Sequence, residues 1–152
     1  MPQYCFRDFQ LGDYESAYAL WSRTEGMGLG ASDTREAIGF FLSHNTGLSQ
    51  AAFDSQHQLV GALLCGHDGR RGYLHHLAVD RAHRLHGIGS ELVNRTVEKL
   101  AALHIEKCNL FLMQENDAGL AFWQRQGWTP RRDIILVQRA LRPGGQACCS
   151  RC

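Results

Sequence analysis

The sequence has almost no net charge: 16 lysines and arginines face 15 aspartates and glutamates, for a formal +1. That balance supplies no bulk field for nucleic acid or an anionic membrane, so neither is expected as a partner and any anion site must be local. No apolar run approaches the ~20 residues of a membrane span. The opening "MPQYCFRDFQLGDYES" turns polar too early for a secretory leader, so a soluble, cytoplasmic protein is expected. There is no internal repeat, no long linker and no G-x-x-x-x-G-K-[ST] phosphate loop. The 152 residues suit one domain, expected over 1–142, with a flexible tail at 143–152.

Cysteine is not scarce, but its placement is uneven. Cys5, Cys65 and Cys108 lie in apolar, strand-like runs and read as small buried hydrophobes. Cys148, Cys149 and Cys152 crowd the tail after Pro143, Gly144 and Gly145. They read as reduced thiols of a frayed end rather than a metal site, which would want four ligands on a scaffold. No metal is expected.

Hydrophobic periodicity and turn residues give an order of roughly β-α-α-β-β-β-α-β-α-β. "GLSQAAFD" and "QLVGALLCGHD" form a hairpin around "SQHQ"; "DGRRG" turns into a third strand, "YLHHLAV". Asp13 is expected to cap the first helix, Ser32 or Asp33 the second, and Asn116 the last, which ends at Gly127. "IEKCNLFLM" is a further strand, and "WTPRRDIILVQRAL" supplies one or two more. This order predicts an α/β (α+β) fold: a mixed, mostly antiparallel sheet of 6–7 strands flanked by about four helices. The last strand could lie at an edge and pair between subunits, so monomer and homodimer both stay open.

The stretch "HHLAVDRAHRLHGIGS" (75–90) runs from an apolar strand through a basic turn into a helix at Gly87 and Gly89. Glycines there let a ligand approach the backbone, and the helix start offers free N–H groups to an anion. Arg84 adds a guanidinium fork suited to phosphate. The dinucleotide fingerprint fits poorly: Leu92 stands at the third glycine, and Asp80–His86 separates strand from glycine.

The pattern Arg84-x-x-Gly87-x-Gly89 resembles the acetyl-coenzyme A loop of the GNAT (GCN5-related N-acetyltransferase) superfamily, Gln/Arg-x-x-Gly-x-Gly/Ala. "NDAGLAFWQRQGW", about 30 residues on, resembles that family's Asn-x-x-(small)-x-x-Phe-Tyr-x-x-x-Gly-Phe segment, and the element order fits over roughly residues 3–141. The resemblance implies acetyl-CoA as co-substrate, its pyrophosphate on main-chain N–H groups of Leu85, His86, Gly87, Ile88, Gly89 and Ser90, with Arg84 marking the loop. It places the pantetheine arm along Leu77, Ala78 and Val79, where that strand splays from "CNLFLM". Asn116, Gly119 and Trp123 would line the thiol end.

The implied reaction is acetyl transfer to a primary amine, directly and without metal. It needs a proton acceptor for the amine and a main-chain donor for the thioester oxygen. The family's tyrosine acid is missing: Trp123 stands there, and an indole is no practical acid. Tyr73 falls where some members carry a glutamate base, and Tyr73 with His75 falls where serotonin N-acetyltransferase carries paired histidines. His75 is therefore the expected base, with Tyr73 as partner or acid. Strand alternation puts Tyr73, His75 and Leu77 on one face and Leu74, His76 and Ala78 on the other, and a single bulge would exchange His75 for His76. Trp21, Glu25 and Met27, in the first helix and the connection after it, are candidates for the acceptor pocket. A small-molecule amine, an amino acid or a protein N-terminus remains possible as acceptor. The glutamate used by ribosomal-protein N-terminal acetyltransferases has no match, since Phe111 stands five residues before Asn116. The alternative reading is a noncatalytic acyl-CoA-binding module of the same fold.

Overall fold

The computed structural model describes residues 2–142. The cysteine-bearing tail expected at 143–152 lies outside them. Five strands form one sheet in the order β1 (Cys5–Asp8), β2 (Gln50–Phe53), β3 (Leu59–His67), β4 (Gly72–Val79) and β5 (Cys108–Leu110). The first four pair antiparallel and β5 pairs parallel to β4. Between β1 and β2 come helices α1 (Tyr14–Ser22) and α2 (Arg35–His44); α3 (Ile88–Ala102) links β4 to β5, and α4 (Asp117–Arg125) follows. The chain divides into two compact units between Phe111 and Leu112.

The central strand explains the sheet. In β3 every residue from Val60 to Gly66 is buried, as expected of a continuous apolar run covered on both faces. One face carries Ala51, Ala62, Leu64 and Ala78 against Ala17, Leu20 and Trp21 of α1 and Ile38 of α2. The other is covered by α3, which buries Ile88, Leu92, Val93, Thr96 and Leu100 at helical spacing. α3 comes so close that a Cβ on Gly61 would meet the Ile88 Cγ2 at 3.0 Å.

Three local expectations are corrected. The sheet has five strands rather than 6–7. Residues 128–142 contain no strand, and Ile134, Ile135, Leu136 and Val137 are exposed. An apolar β-branched run has strand propensity, but a ladder also needs a partner edge, and residues 112–142 contain no other strand to provide one. Asp33 does not cap α2. Thr34 does, accepting from the Ala37 N–H at 3.2 Å, which leaves the Asp33 carboxylate for another partner. Finally, Cys5 is exposed.

Asn116 caps α4 as expected, accepting from the Gly119 N–H at 2.9 Å, and Gly127 follows the helix with φ of 86°. Asp13 stands at the start of α1, but its carboxylate is held by both Arg7 guanidinium nitrogens at 2.8 Å.

Candidate active site

The site is built on an irregularity in β4. On β3, Ala62 pairs with Ala78 and Leu64 with His75, so β4 carries one extra residue between these pairs. His76 adopts φ of 56°, the left-handed conformation. A bulge of this kind shifts the side-chain alternation by one. His75 packs edge-on to Phe41 of α2, with ring centroids 6.0 Å apart, and His76 lies 5.1 Å from Trp21 of α1. Both histidines therefore face the α1–α2 side, together with Tyr73, which stacks on His75 at 6.5 Å. The expected alternation is corrected accordingly: His76 and Ala78 join the face of Tyr73 and His75, and Leu77 falls to the opposite parity.

The two imidazoles sit in different surroundings. Burial pushes the His75 imidazole below its ordinary range; His76 adds to this and Asp33 opposes it. A histidine neutral at physiological pH can accept a proton. His76 Nε2 lies 2.6 Å from Asp33 Oδ1. Burial would raise the Asp33 carboxyl, but hydrogen bonds from His76 and the Gly30 N–H overcome it and leave the group below the usual carboxylate range. The buried Trp21 indole N–H has no hydrogen-bond partner among the described residues.

Beside this cluster β4 loses its neighbour. Pairing with β5 ends at Leu74–Leu110, so Leu77, Ala78 and Val79 have no ladder partner on that side. That side of the strand, without a paired strand among the described residues, is an open edge suited to an extended ligand. Tyr73 also stacks on Phe111, 6.3 Å away just beyond β5.

Past Val79, Asp80 turns the chain, its carboxylate accepting from the Ala82 N–H at 3.0 Å. Leu85 and Gly87 follow with φ of 65° and 78°, and Gly87 is the N-terminal flanking residue of α3. Left-handed residues before a helix turn successive N–H groups outward, toward the positive end of the helix dipole. The Leu85 side chain is fully exposed, whereas Ile88 faces the core. A Cβ on Gly87 would meet nothing within 4 Å. Gly89 and Ser90 lie in the first turn of α3. His86 Nδ1 lies 3.2 Å from the His83 carbonyl, and the Tyr4 hydroxyl lies 3.1 Å from His83 Nδ1.

The candidates from the first helix and connection are placed differently from one another. Trp21 is completely buried, stacked on Phe9 at 6.2 Å, as well as flanking His76. Met27 packs against the core beside Leu29. The Glu25 carboxylate is taken up by the loop before α3: Arg84 Nη2 donates to it at 2.9 Å and Arg81 Nε at 2.7 Å. Hydrogen bonds from Arg84, its own backbone and Arg81 hold the Glu25 carboxyl down at about 2. Arg84 Nε also donates to the Val79 carbonyl at 3.1 Å. Trp123 of α4 is buried, its ring 5.2 Å from Phe122 and 5.1 Å from Trp128. A Cβ on Gly119 would come within 2.6 Å of the Asn116 side chain, so a larger residue there would displace the capping amide.

Asp33 and Phe41 are the neighbours of the histidine pair that sequence reading missed. The choice of Asp33 as a helix cap concealed it; Thr34, equally competent as a cap, was the available signal. Burial also raises the Cys65 thiol to about 12 and the Cys108 thiol to about 11, so neither offers a thiolate at neutral pH.

An open-edged strand, a left-handed loop entering a helix and two imidazoles on one face make up the candidate site. Residues 5–128 match the acetyltransferase (GNAT) family, and the chain belongs to that family. An acetyltransferase of Sodalis glossinidius (strain morsitans) is 28% identical over 135 residues, covering 89% of this chain and 94% of that protein. Among solved structures, the chain is similar in fold to Ard1 from Thermoplasma volcanium, with a TM-score of 0.73 at 18% identity, covering 83% and 82% of the two chains. It is also similar to the PaiA N-acetyltransferase from Thermoplasma acidophilum in complex with coenzyme A, with a TM-score of 0.69 at 16% identity and coverage of 81% and 87%.

Proposed function

We propose that the protein transfers an acetyl group from acetyl-CoA directly to a primary amine. The observation that carries this reading is the coincidence, within one strand, of an open edge at Leu77–Val79 and a bulge that gathers His75, His76 and Tyr73 on a single face.

The pyrophosphate lies on the N–H groups of Leu85–Ser90, where a dipole and left-handed backbone favour an anion. The pantetheine arm adds along Leu77–Val79 as a short strand, and a main-chain N–H of this segment receives the thioester oxygen as it becomes an oxyanion. His75, neutral through burial, first takes one proton from the acceptor ammonium and so frees its lone pair, with the Tyr73 ring stacked beside it. The nitrogen lone pair attacks the acetyl carbon, and the C–S bond breaks with its electron pair on sulfur. The coenzyme thiolate leaves without a dedicated acid, as its ordinary pKa of ~8.5 permits, and takes up the second proton that the nitrogen sheds as the amide forms. The raised thiols of Cys65 and Cys108 favour direct transfer over an acyl-cysteine route.

One observation favours a second reading, a noncatalytic acyl-CoA-binding module: Trp123 at the family's tyrosine position is buried between aromatic rings. Calorimetric titration with acetyl-CoA, followed by free-thiol detection over a panel of small amines, amino acids and N-terminal peptides, separates the two. Binding plus turnover that His75→Gln lowers about a hundredfold supports the transferase. Binding without turnover on any acceptor class leaves the module. Absence of binding removes both.

A further inference from the structure

The connection between α1 and α2 sends one carboxylate to the bulge. Asp33 ends a short 3-10 turn (Ala31–Asp33), and its two oxygens divide their work. Oδ2 accepts from the Gly30 N–H at 2.8 Å, which closes the turn on itself. Oδ1 is 2.6 Å from His76 Nε2. The Asp33 carbonyl accepts from the Tyr14 hydroxyl at 2.6 Å, fixing the turn to α1. The carboxylate is thus held by its own turn, and the turn by α1, before it meets the histidine, and Asp33 is buried.

We propose that Asp33 is a positioning residue for acyl transfer: through its hydrogen bond to His76 it seats the β4 bulge and presents one negative charge to the adjacent imidazoles. The claim that this charge assists the reaction rests on His75 being the base, as proposed above.

The physical argument has two parts. A histidine in the left-handed conformation is strained, and such a residue persists only where its surroundings hold it. The ring, 2.6 Å from Asp33 Oδ1 and lying against Trp21, supplies that hold. The bulge in turn determines that His75 and His76 share a face. Second, burial weakens His75 as a base and a cationic His76 would weaken it further, whereas the Asp33 carboxylate counters both. Among the described residues, the groups in contact with the two imidazoles are Tyr73 on β4, Phe41 on α2, Trp21 on α1 and Asp33 on the connection, with Tyr14 bonded to the Asp33 carbonyl behind it. Asp33 is the one among these that carries a negative charge near neutrality.

The test uses the full chain with the histidine rings labelled for NMR, so that one readout needs no substrate. Asp33→Asn keeps an oxygen for the Nε2–H but removes the charge. The expected result is that the His75 titration moves to lower pH and that the acid limb of kcat/KM moves the same way. kcat falls about tenfold, a fraction of the general-base contribution, and acetyl-CoA binding stays intact. His76→Gln serves as the second variant, usable even if Asp33→Asn does not fold. Glutamine can still donate to Asp33 but carries no proton-dependent charge, so His75 is expected to titrate at higher pH. An unmoved His75 titration in either folded variant overturns the proposal, whatever happens to activity. Shifted titrations in a protein that transfers no acetyl group would uphold the electrostatic role of Asp33 and defeat the transferase reading instead.

Discussion

Glu25, in the connection between α1 and α2, holds Arg84 of the loop before α3, with Nη2 and Oε2 2.9 Å apart. The same carboxylate pairs with Arg81, so one acidic side chain occupies two guanidinium groups beside the proposed pyrophosphate seat. The family pattern assigns Arg84 to the cofactor loop, and the acceptor-side connection already claims its charge.

Glu25→Gln is therefore expected to tighten coenzyme A binding. The pairs are half exposed, and exposed ion pairs are worth ~0.2–1 kcal/mol each, so the gain should be about two- to fivefold. Calorimetry at low and high salt checks it, and the difference should shrink as salt screens the anion. Weaker binding in the variant would mean that Glu25 organises the loop rather than competing with the phosphate.

Two neighbouring substitutions in that loop should behave oppositely to simple size rules. Gly87 has φ of 78° and open space around its Cα. Gly87→Ala meets no clash, yet it should cost about 1 kcal/mol from the left-handed backbone alone. Leu85 already bears that strain with a fully exposed side chain, so Leu85→Gly should lie within about 0.5 kcal/mol of neutral, relief of strain offsetting added chain entropy. Urea unfolding curves of the two variants measure both values.

His75 gives stability a defined pH dependence. Its folded pKa lies below the ordinary 6.5, so between the two values the unfolded chain binds more protons than the folded one. Stability then rises with pH through this window, and is lost as pH falls below about 6.5. Chemical denaturation at a series of pH values should show His75→Gln with a flatter profile there than the parent protein. A parallel profile would place the acid sensitivity elsewhere.

Away from the site, Gln50 is wholly buried and joins β1, β2 and α3. Its Nε2 donates to Asp8 Oδ1 at 2.8 Å and its Oε1 accepts from Arg95 Nε at 3.0 Å. Lys99 Nζ reaches the same Asp8 oxygen at 2.7 Å. Gln50→Ala leaves a cavity and unpaired polar groups, and should lower stability by about 2–3 kcal/mol, read as a fall in denaturation midpoint. Because Gln50 is not among the side chains placed at the open edge or the bulge, coenzyme A affinity should change little in the folded fraction.

Much of the fold was legible because it rests on local patterns. The hairpin turns, the apolar run of β3, the stripe of α3 and the Asn116 cap are each written in neighbouring residues. The glycine motif that resembles the family's cofactor loop is likewise local, since Arg84, Gly87 and Gly89 are spaced within one turn and helix start. The last strand failed because "DIILVQ" shows propensity, whereas pairing depends on an edge elsewhere in the molecule.

What the sequence determined by itself is the order of most elements, the glycine motif before α3 and the family to which they point, because all are encoded at short range. Tertiary structure alone decided which histidine faces which way. A bulge shifts alternation by one residue, and alternation carries no mark of it until Ala62 and Leu64 show their partners. It also decided the partners of two carboxylates, Asp33 at His76 and Glu25 at Arg84, residues 43 and 59 positions apart. Charges so distant in the chain meet only after the sheet and helices have packed, and short-range pattern cannot foretell them.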